Sequence, residues 1–281
     1  MTVSERAFVF GAQLPHMVGV LTLPSEAKSQ AVVIVVGGPQ YRAGSHRQFV
    51  LLARSLALAG YPVLRFDYRG MGDSGGELKS FLHVREDVEE AITALMRELP
   101  AVKQICLWGL CDGASAALMY VAATGDTRVH TICLLNPWVR SEASLAQARV
   151  KHYYGSRLRE RAFWAKLLSG RVNWRSIAEL LRNVIKTVRP GKAPIAKASF
   201  QEQMAQGWHT FPGGILLLLS GKDLTAQEFS EAIKTSATWR GAFQRSRLFV
   251  HSVPDADHTL SRSEHRREVE EVTVRWLGEQ T

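Results

Sequence analysis

The stretch Ile105-Cys106-Leu107-Trp108-Gly109-Leu110-Cys111-Asp112-Gly113-Ala114-Ser115 sets a thiol midway between two glycines, after an apolar run and before a run of small residues. At the centre of Gly-x-Cys-x-Gly, a side chain can occupy a sharp strand-to-helix turn. Only glycine two residues before and two after lets the flanking backbone close up that tightly. The sulfur of Cys111 would then stand at a helix N-terminus, where the dipole and free amides favour a thiolate. The chemistry this arrangement suits is nucleophilic attack on a carbonyl carbon, with the backbone N–H of Asp112 as one donor to the oxyanion. Sequences of this form usually carry Ser at the centre; here it is Cys. The plain alternative is a buried structural cysteine, which the strand pattern before it and the helix pattern after it disfavour.

Such a thiol needs a base and a carboxylate to orient the base, in the chain order nucleophile, acid, histidine. Asp223, in Ser220-Gly221-Lys222-Asp223, follows the aliphatic run Ile215–Leu219. His258, in Pro254-Asp255-Ala256-Asp257-His258, follows the run Arg247–His251 and precedes a helical pattern. Among nine histidines, His258 alone combines a loop after a strand with the start of a helix. Asp255 and Asp257 are rival acids, but they stand close to His258 in sequence, which favours Asp223. A second oxyanion donor is expected from Val36-Gly37-Gly38-Pro39-Gln40-Tyr41-Arg42, after the first buried run. Pro39 has no N–H, so the donor is Gln40 or Gly38, with Gln40 preferred. A simple glycine turn is the alternative there.

Gly70-Met71-Gly72-Asp73-Ser74-Gly75 matches the dinucleotide fingerprint GxGxxG. Helical periodicity resumes only near Val84, too late to put a helix N-terminus under a pyrophosphate. No nucleotide cofactor is expected, and no metal motif of the HExxH or EF-hand kind is present.

These residues need a frame of strands and helices. Eight strand patterns run along the chain: Ala7–Gly11, Val18–Leu23, Ala31–Val36, Pro62–Phe66, Gln104–Trp108, Thr131–Leu135, Ile215–Ser220 and Arg247–His251. The first two read as a hairpin; the continuous aliphatic runs read as strands buried on both faces. Helical spacing marks His46–Ala59, Val84–Leu99, Asp112–Ala123, Thr225–Arg240 and Arg262–Leu277. Alternation of this kind predicts an α/β fold, a mainly parallel sheet with helices on both faces and its site at the C-terminal ends of the strands. The alternation breaks across Trp138–Gln206, where helical patterns occur without a strand. The expected organisation is therefore a core of 1–137 and 207–281 with an inserted helical cap of 138–206.

Composition bounds the function classes. With 281 residues, 46% hydrophobic and 22% charged, the chain is neither disordered nor collagen-like nor a coiled coil. Its longest pure aliphatic runs, Val32–Val36 and Ile215–Leu219, fall far short of the roughly 20 residues of a membrane span. No secretory signal pattern is visible at the N-terminus and three cysteines make no disulfide scaffold, so a cytoplasmic protein is expected. The net charge of +9 is concentrated: Arg140–Lys197 holds fourteen Lys and Arg against three Glu, and the remainder is slightly acidic. A charge confined to one segment argues against a nucleic-acid partner. It fits a small or carrier-bound anionic acyl substrate, peripheral contact with an anionic membrane through Arg159–Leu168 and Trp174–Val188, or merely a solvated face.

Taken together, Phe66-Asp67-Tyr68-Arg69-Gly70-Met71-Gly72-Asp73-Ser74, the turn at Cys111 and the Asp223 and His258 loops resemble the α/β-hydrolase superfamily over essentially the whole chain. More narrowly, GGPQYRAGSHRQF, FDYRGMGDS and GLCDGASAALMY resemble exosortase A system-associated hydrolase 1, a family encoded with bacterial exopolysaccharide and protein-sorting systems. The resemblance implies the α/β-hydrolase fold and a Cys111–His258–Asp223 triad acting on an ester or thioester. Two departures stand out: Cys for the usual Ser, and Gly-Gly-Pro for the usual His-Gly at the oxyanion loop. Dienelactone hydrolases share the Cys, so it is compatible with hydrolysis. Acyl transfer by the same residues, or a non-catalytic role at a membrane surface, are the alternatives.

Overall fold

The aliphatic runs form the middle of one sheet. A computed structural model describes residues 2–12, 14–37, 41–140 and 198–280. Eight strands follow in chain order: β1 (Val3–Phe10), β2 (Met17–Pro24), β3 (Gln30–Val35), β4 (Val63–Phe66), β5 (Gln104–Leu110), β6 (Val129–Leu135), β7 (Gly214–Ser220) and β8 (Leu248–Val253). In space they lie β1-β2-β4-β3-β5-β6-β7-β8. β2 runs antiparallel to both β1 and β4, and every other pairing is parallel. Every residue of β3 and β4 is buried, as expected for strands covered on both faces.

The helices are α1 (Gln48–Leu58), α2 (Arg85–Glu98), α3 (Asp112–Thr124), α4 (Phe200–Thr210), α5 (Leu224–Thr235) and α6 (Ser263–Gly278). The step from β3 to β4 moves one way across the sheet and the step from β5 to β6 moves the other. Right-handed crossovers therefore put α1 and α3 on opposite faces. α1 packs with α6, and α3 with α2 and α4. The expected α/β architecture is thus present, with six of the eight strands longer than their apolar patterns alone suggest.

Three local differences have physical reasons. The helix expected over Thr225–Arg240 ends at Thr235, where Ser236 turns extended. The chain then folds back through a short 3-10 turn, Ala237–Trp239, and buries Trp239 edge-on against Trp208 and Phe229, with ring centroids 5.7 and 5.4 Å apart. α1 begins at Gln48 rather than His46, because His46 and Arg47 take positive φ of 52° and 60°. α4 spans the boundary expected at 206/207 and packs on α3, so the core resumes at Phe200. The helices expected over Leu145–Tyr154, Arg159–Leu168 and Trp174–Val188, and the bulk of the cap with them, lie outside the described residues.

The Gly70–Gly75 turn leads to no helix; α2 begins only at Arg85. Gly72, at φ 53°, lies where a Cβ would run into the Asp67 carboxylate. Gly70, at φ 76°, lies instead against the Glu77 backbone, so these glycines serve close packing of the turn.

Candidate active site

Parallel strands in register bring their C-terminal ends level. Leu110 of β5 pairs with Leu135 of β6, Leu135 with Leu218 of β7, and Ser220 of β7 with Val253 of β8. The residues that follow β5, β7 and β8 therefore emerge along one edge, and these carry Cys111, Asp223 and His258.

Cys111 takes φ 59° and ψ −126°, a sparsely populated conformation for a residue with a side chain. The surrounding backbone holds it there. Its N–H donates to the Leu135 carbonyl at 2.9 Å, and its own carbonyl accepts from Ala114 and Ser115 at 3.1 and 3.2 Å and from Trp138 at 3.2 Å. The flanking glycines are required by packing: a Cβ on Gly109 would stand 2.6 Å from the Ala114 nitrogen, and one on Gly113 would strike the Val35 carbonyl. Gly37, at the start of the loop after β3, is pressed against the same turn, where a Cβ would meet the Leu110 carbonyl and the Asp112 carboxylate. The thiol is half-buried and in no disulfide, and the Asp112 backbone opens α3 beside it. Gln40 and Gly38, the candidates for the second oxyanion donor, lie outside the described residues.

Asp223 is the N-cap of α5: its two carboxylate oxygens accept from Thr225 N–H at 3.0 Å and Ala226 N–H at 3.3 Å. Those amides aim the carboxylate, and His258 Nδ1 meets its Oδ2 at 2.8 Å. The two loops touch because Gly221 has no side chain; a Cβ there would stand 2.7 Å from the carbonyl carbon of Pro254. Lys222 N–H donates to the Ala256 carbonyl at 2.9 Å and ties the loops together. With Nδ1 engaged by Asp223, Nε2 is the ring nitrogen left for Cys111, whose side chain also hydrogen-bonds the imidazole. The Asp223 bond, then the Cys111 bond, push the imidazole pKa up to about 10 against the opposing effect of burial. His258 therefore carries its proton at neutral pH.

The rival carboxylates are engaged elsewhere. Asp257 accepts from the N–H groups of Thr259 and Ser261 at 3.2 and 2.9 Å, and closely from the Ser261 hydroxyl. Asp255 pairs with Lys222 at 2.7 Å on the surface. The other two thiols, Cys106 and Cys133, are buried on β5 and β6 with their sulfurs 3.7 Å apart. Burial pushes the Cys133 thiol well up.

Two features near the site were not singled out by the sequence. Arg42 binds the buried Asp67 twice, through its backbone N–H at 2.7 Å and its guanidinium, and reaches Asp73 at 2.7 Å. That clamp fixes the described end of the loop after β3. Tyr68, next to Asp67, is buried with its hydroxyl unpartnered among the described residues. The sequence signals were GGPQYRAGSHRQF, which contains Arg42, and FDYRGMGDS, whose glycine spacing draws attention away from Asp67 and Tyr68. Among the described residues no group of His, Cys, Asp and Glu is arranged to hold a metal ion.

Comparison with known proteins agrees with this fold. The profile of the alpha/beta hydrolase family matches residues 32–272. Among solved structures, the chain resembles an esterase from Pyrococcus furiosus, at 15% identity and TM-score 0.63 over 99% of this chain and 93% of that one. It also resembles a dienelactone hydrolase from Anabaena variabilis, at 15% identity and TM-score 0.63 over 99% and 98% of the two chains. At such identity these likenesses concern the fold. A curated protein, polyketide transferase grgF of Penicillium sp, is 37% identical over 86 residues. That match spans only 29% of either chain. On the extent of the profile match, with the strand order and the turn at Cys111 in agreement, this chain belongs to the alpha/beta hydrolase family.

Proposed function

We propose that the protein is a cysteine-dependent acyl hydrolase acting on an ester or thioester. The observation that carries this reading is the meeting of Cys111, on its strained turn, with His258, which Asp223 orients at 2.8 Å. In the acylation step the Cys111 thiolate attacks the carbonyl carbon, and the charge that develops on oxygen is held by the Asp112 N–H and by Gln40. His258 gives its Nε2 proton to the leaving alkoxide or thiolate as the acyl–sulfur bond forms. The neutral imidazole then takes a proton from water, whose oxygen attacks the acyl carbonyl carbon; the carbon–sulfur bond breaks, the acid leaves, and the thiolate–imidazolium pair is restored.

Activity profiling against p-nitrophenyl esters, acyl-CoAs and acyl-carrier thioesters tests the reading, with Cys111→Ala as control. Hydrolysis that disappears in Cys111→Ala supports it; hydrolysis that survives in full rejects it. Acyl transfer uses the same residues, and the partial match to a polyketide transferase favours testing it. Product analysis with an added sugar or alcohol acceptor separates the two outcomes by whether the ester or the free acid accumulates.

The narrower assignment, to hydrolases associated with bacterial exosortase A and exopolysaccharide systems, rests on GGPQYRAGSHRQF, FDYRGMGDS and GLCDGASAALMY. No helix among the described residues is long and apolar enough to cross a membrane.

The basic stretch Arg140–Lys197 supports an anionic substrate or carrier. Replacing Arg157, Arg159 and Arg161 with Gln would then lower kcat/KM for an anionic substrate at low salt and spare a neutral ester. Loss of binding to anionic vesicles in the same variant would assign the charge to a membrane surface instead. No response of either kind would leave it a solvated face.

A further inference from the structure

The segment that leaves β6 does more than lead the chain away from the sheet. The carbonyl of Leu135, the last residue of β6, accepts the Cys111 N–H at 2.9 Å, and Trp138 N–H donates to the Cys111 carbonyl at 3.2 Å. The Ser115 hydroxyl donates to the Trp138 carbonyl at 2.6 Å and ties that end of the segment to α3. The backbone from Leu135 to Trp138 therefore grips Cys111 on both sides of its strained turn.

Between the two grips lies Asn136, 0% exposed and in the left-handed region at φ 48°. Its N–H donates to the Leu218 carbonyl of β7 at 3.0 Å. The paired register of β6 and β7 ends at Leu135 and Leu218, and the Asn136 carboxamide carries the contact on to Ser220. Its Oδ1 accepts the Ser220 N–H at 2.8 Å, and its Nδ2 donates to the Ser220 hydroxyl at 3.0 Å. Ser220 is the last residue of β7, and its carbonyl accepts the Asp223 N–H at 3.3 Å. A continuous run of hydrogen bonds thus joins the Cys111 backbone to the loop that carries Asp223. A buried carboxamide is costly to hold unless it is paired, and asparagine tolerates positive φ better than most residues with a side chain. Glycine would supply the backbone without the two bonds, and an apolar residue would supply neither.

We propose that Asn136 is a positioning residue: by fixing Ser220 against the segment that grips Cys111, it sets the nucleophile at its working distance from the Asp223–His258 pair. The proposal rests on the reading of Cys111, His258 and Asp223 as the catalytic triad. It adds no bond-making step to that reaction, since Asn136 is buried and acts through Ser220.

The test begins with Asn136→Gly, which removes the carboxamide and keeps a residue suited to positive φ. In the wild type, kcat/KM for an accepted ester should fall as pH rises through about 10, where the imidazole held by Asp223 and Cys111 loses its proton. In Asn136→Gly the Asp223 bond is loosened, so that alkaline limb should move down by about one pH unit or more. Turnover should fall about tenfold or more with KM near its wild-type value, because a misplacement of roughly 1 Å costs on the order of 10²-fold. Val272→Ala, on the buried face of α6, is the control for lost stability alone: its Tm should fall while the limb and kcat stay in place. The downfield proton resonance of His258 Nδ1–H, identified by its absence from His258→Gln, gives a readout independent of turnover. It should be present in the wild type and weakened or lost in Asn136→Gly. Asn136→Ser, too short to span to Ser220, serves if the glycine variant does not fold. A folded variant that keeps both the resonance and the alkaline limb overturns the proposal, as does a loss of kcat that Val272→Ala reproduces. Hydrolysis that survives in Cys111→Ala counts against the triad reading instead, and the resonance still decides whether Asn136 holds Asp223 to His258.

Discussion

His258 and Asp223 meet at 2.8 Å across 35 positions of sequence, and they do so because Gly221 lets the loop after β7 lie against the loop after β8. The same carboxylate caps α5. One residue thus starts a helix and orients an imidazole, and both tasks fix the same rotamer.

That double engagement makes Asp223 the acid whose loss should cost most. Asp223→Asn leaves the imidazole with the wrong tautomer, which in comparable triads lowers turnover on the order of 10⁴-fold. Asp257→Asn removes only bonds within its own turn and should cost far less. Steady-state kinetics on any accepted ester gives the ranking, and the reverse order would move the acid to the histidine loop.

The three thiols should differ sharply in reactivity. Cys111 is half-buried beside His258, whereas Cys106 and Cys133 are buried in the sheet. Iodoacetamide on the native protein, followed by peptide mapping, should label Cys111 first. His258→Gln should slow that labelling at neutral pH, since the neighbouring cation is gone. Equal labelling of all three cysteines, or Cys106 labelled first, would contradict the arrangement at the turn.

Stability should carry the signature of the raised imidazole. The folded-state pKa of about 10 lies above the ordinary 6.5, so His258 contributes stability that is full below pH 6.5 and is lost as pH rises through 10. The Tm difference between wild type and Asp223→Asn should therefore be largest near pH 6 and shrink towards pH 10. A difference that is constant over that range, or grows, would mean that the pair is not charged in the folded protein.

How much of this was legible before any coordinates follows from the range of the interactions concerned. The turn at Cys111 is local: Gly109, Cys111 and Gly113 state its geometry within five residues, and the aliphatic strand before it adds its direction. Asp223 and His258 were legible for a related reason. Each follows a continuous aliphatic strand, and parallel strands deliver the residues after them to one edge. The end of α5 was misread because Phe229, Ile233 and Ala237 keep a helical apolar spacing, while Trp239 reaches the core through a turn rather than a helix. Tyr68 could not be read at all. That its hydroxyl is buried without a partner depends on packing around β4 and on residues distant in sequence, and no spacing encodes it. The Arg42–Asp67 pair was hidden for the same reason, since it joins two loops across 25 positions.

The central claim is that Cys111 becomes acylated, and trapping the intermediate tests it most directly. The native enzyme is mixed with p-nitrophenyl acetate, quenched in acid within the first turnover, digested and examined by mass spectrometry. The account predicts one acetyl group on the peptide that carries Cys111, accumulating further in His258→Gln, which keeps a slow thiol but lacks the base for deacylation, and none in Cys111→Ala. Acetylation on another residue, or nitrophenol released at the wild-type rate by Cys111→Ala, would contradict it.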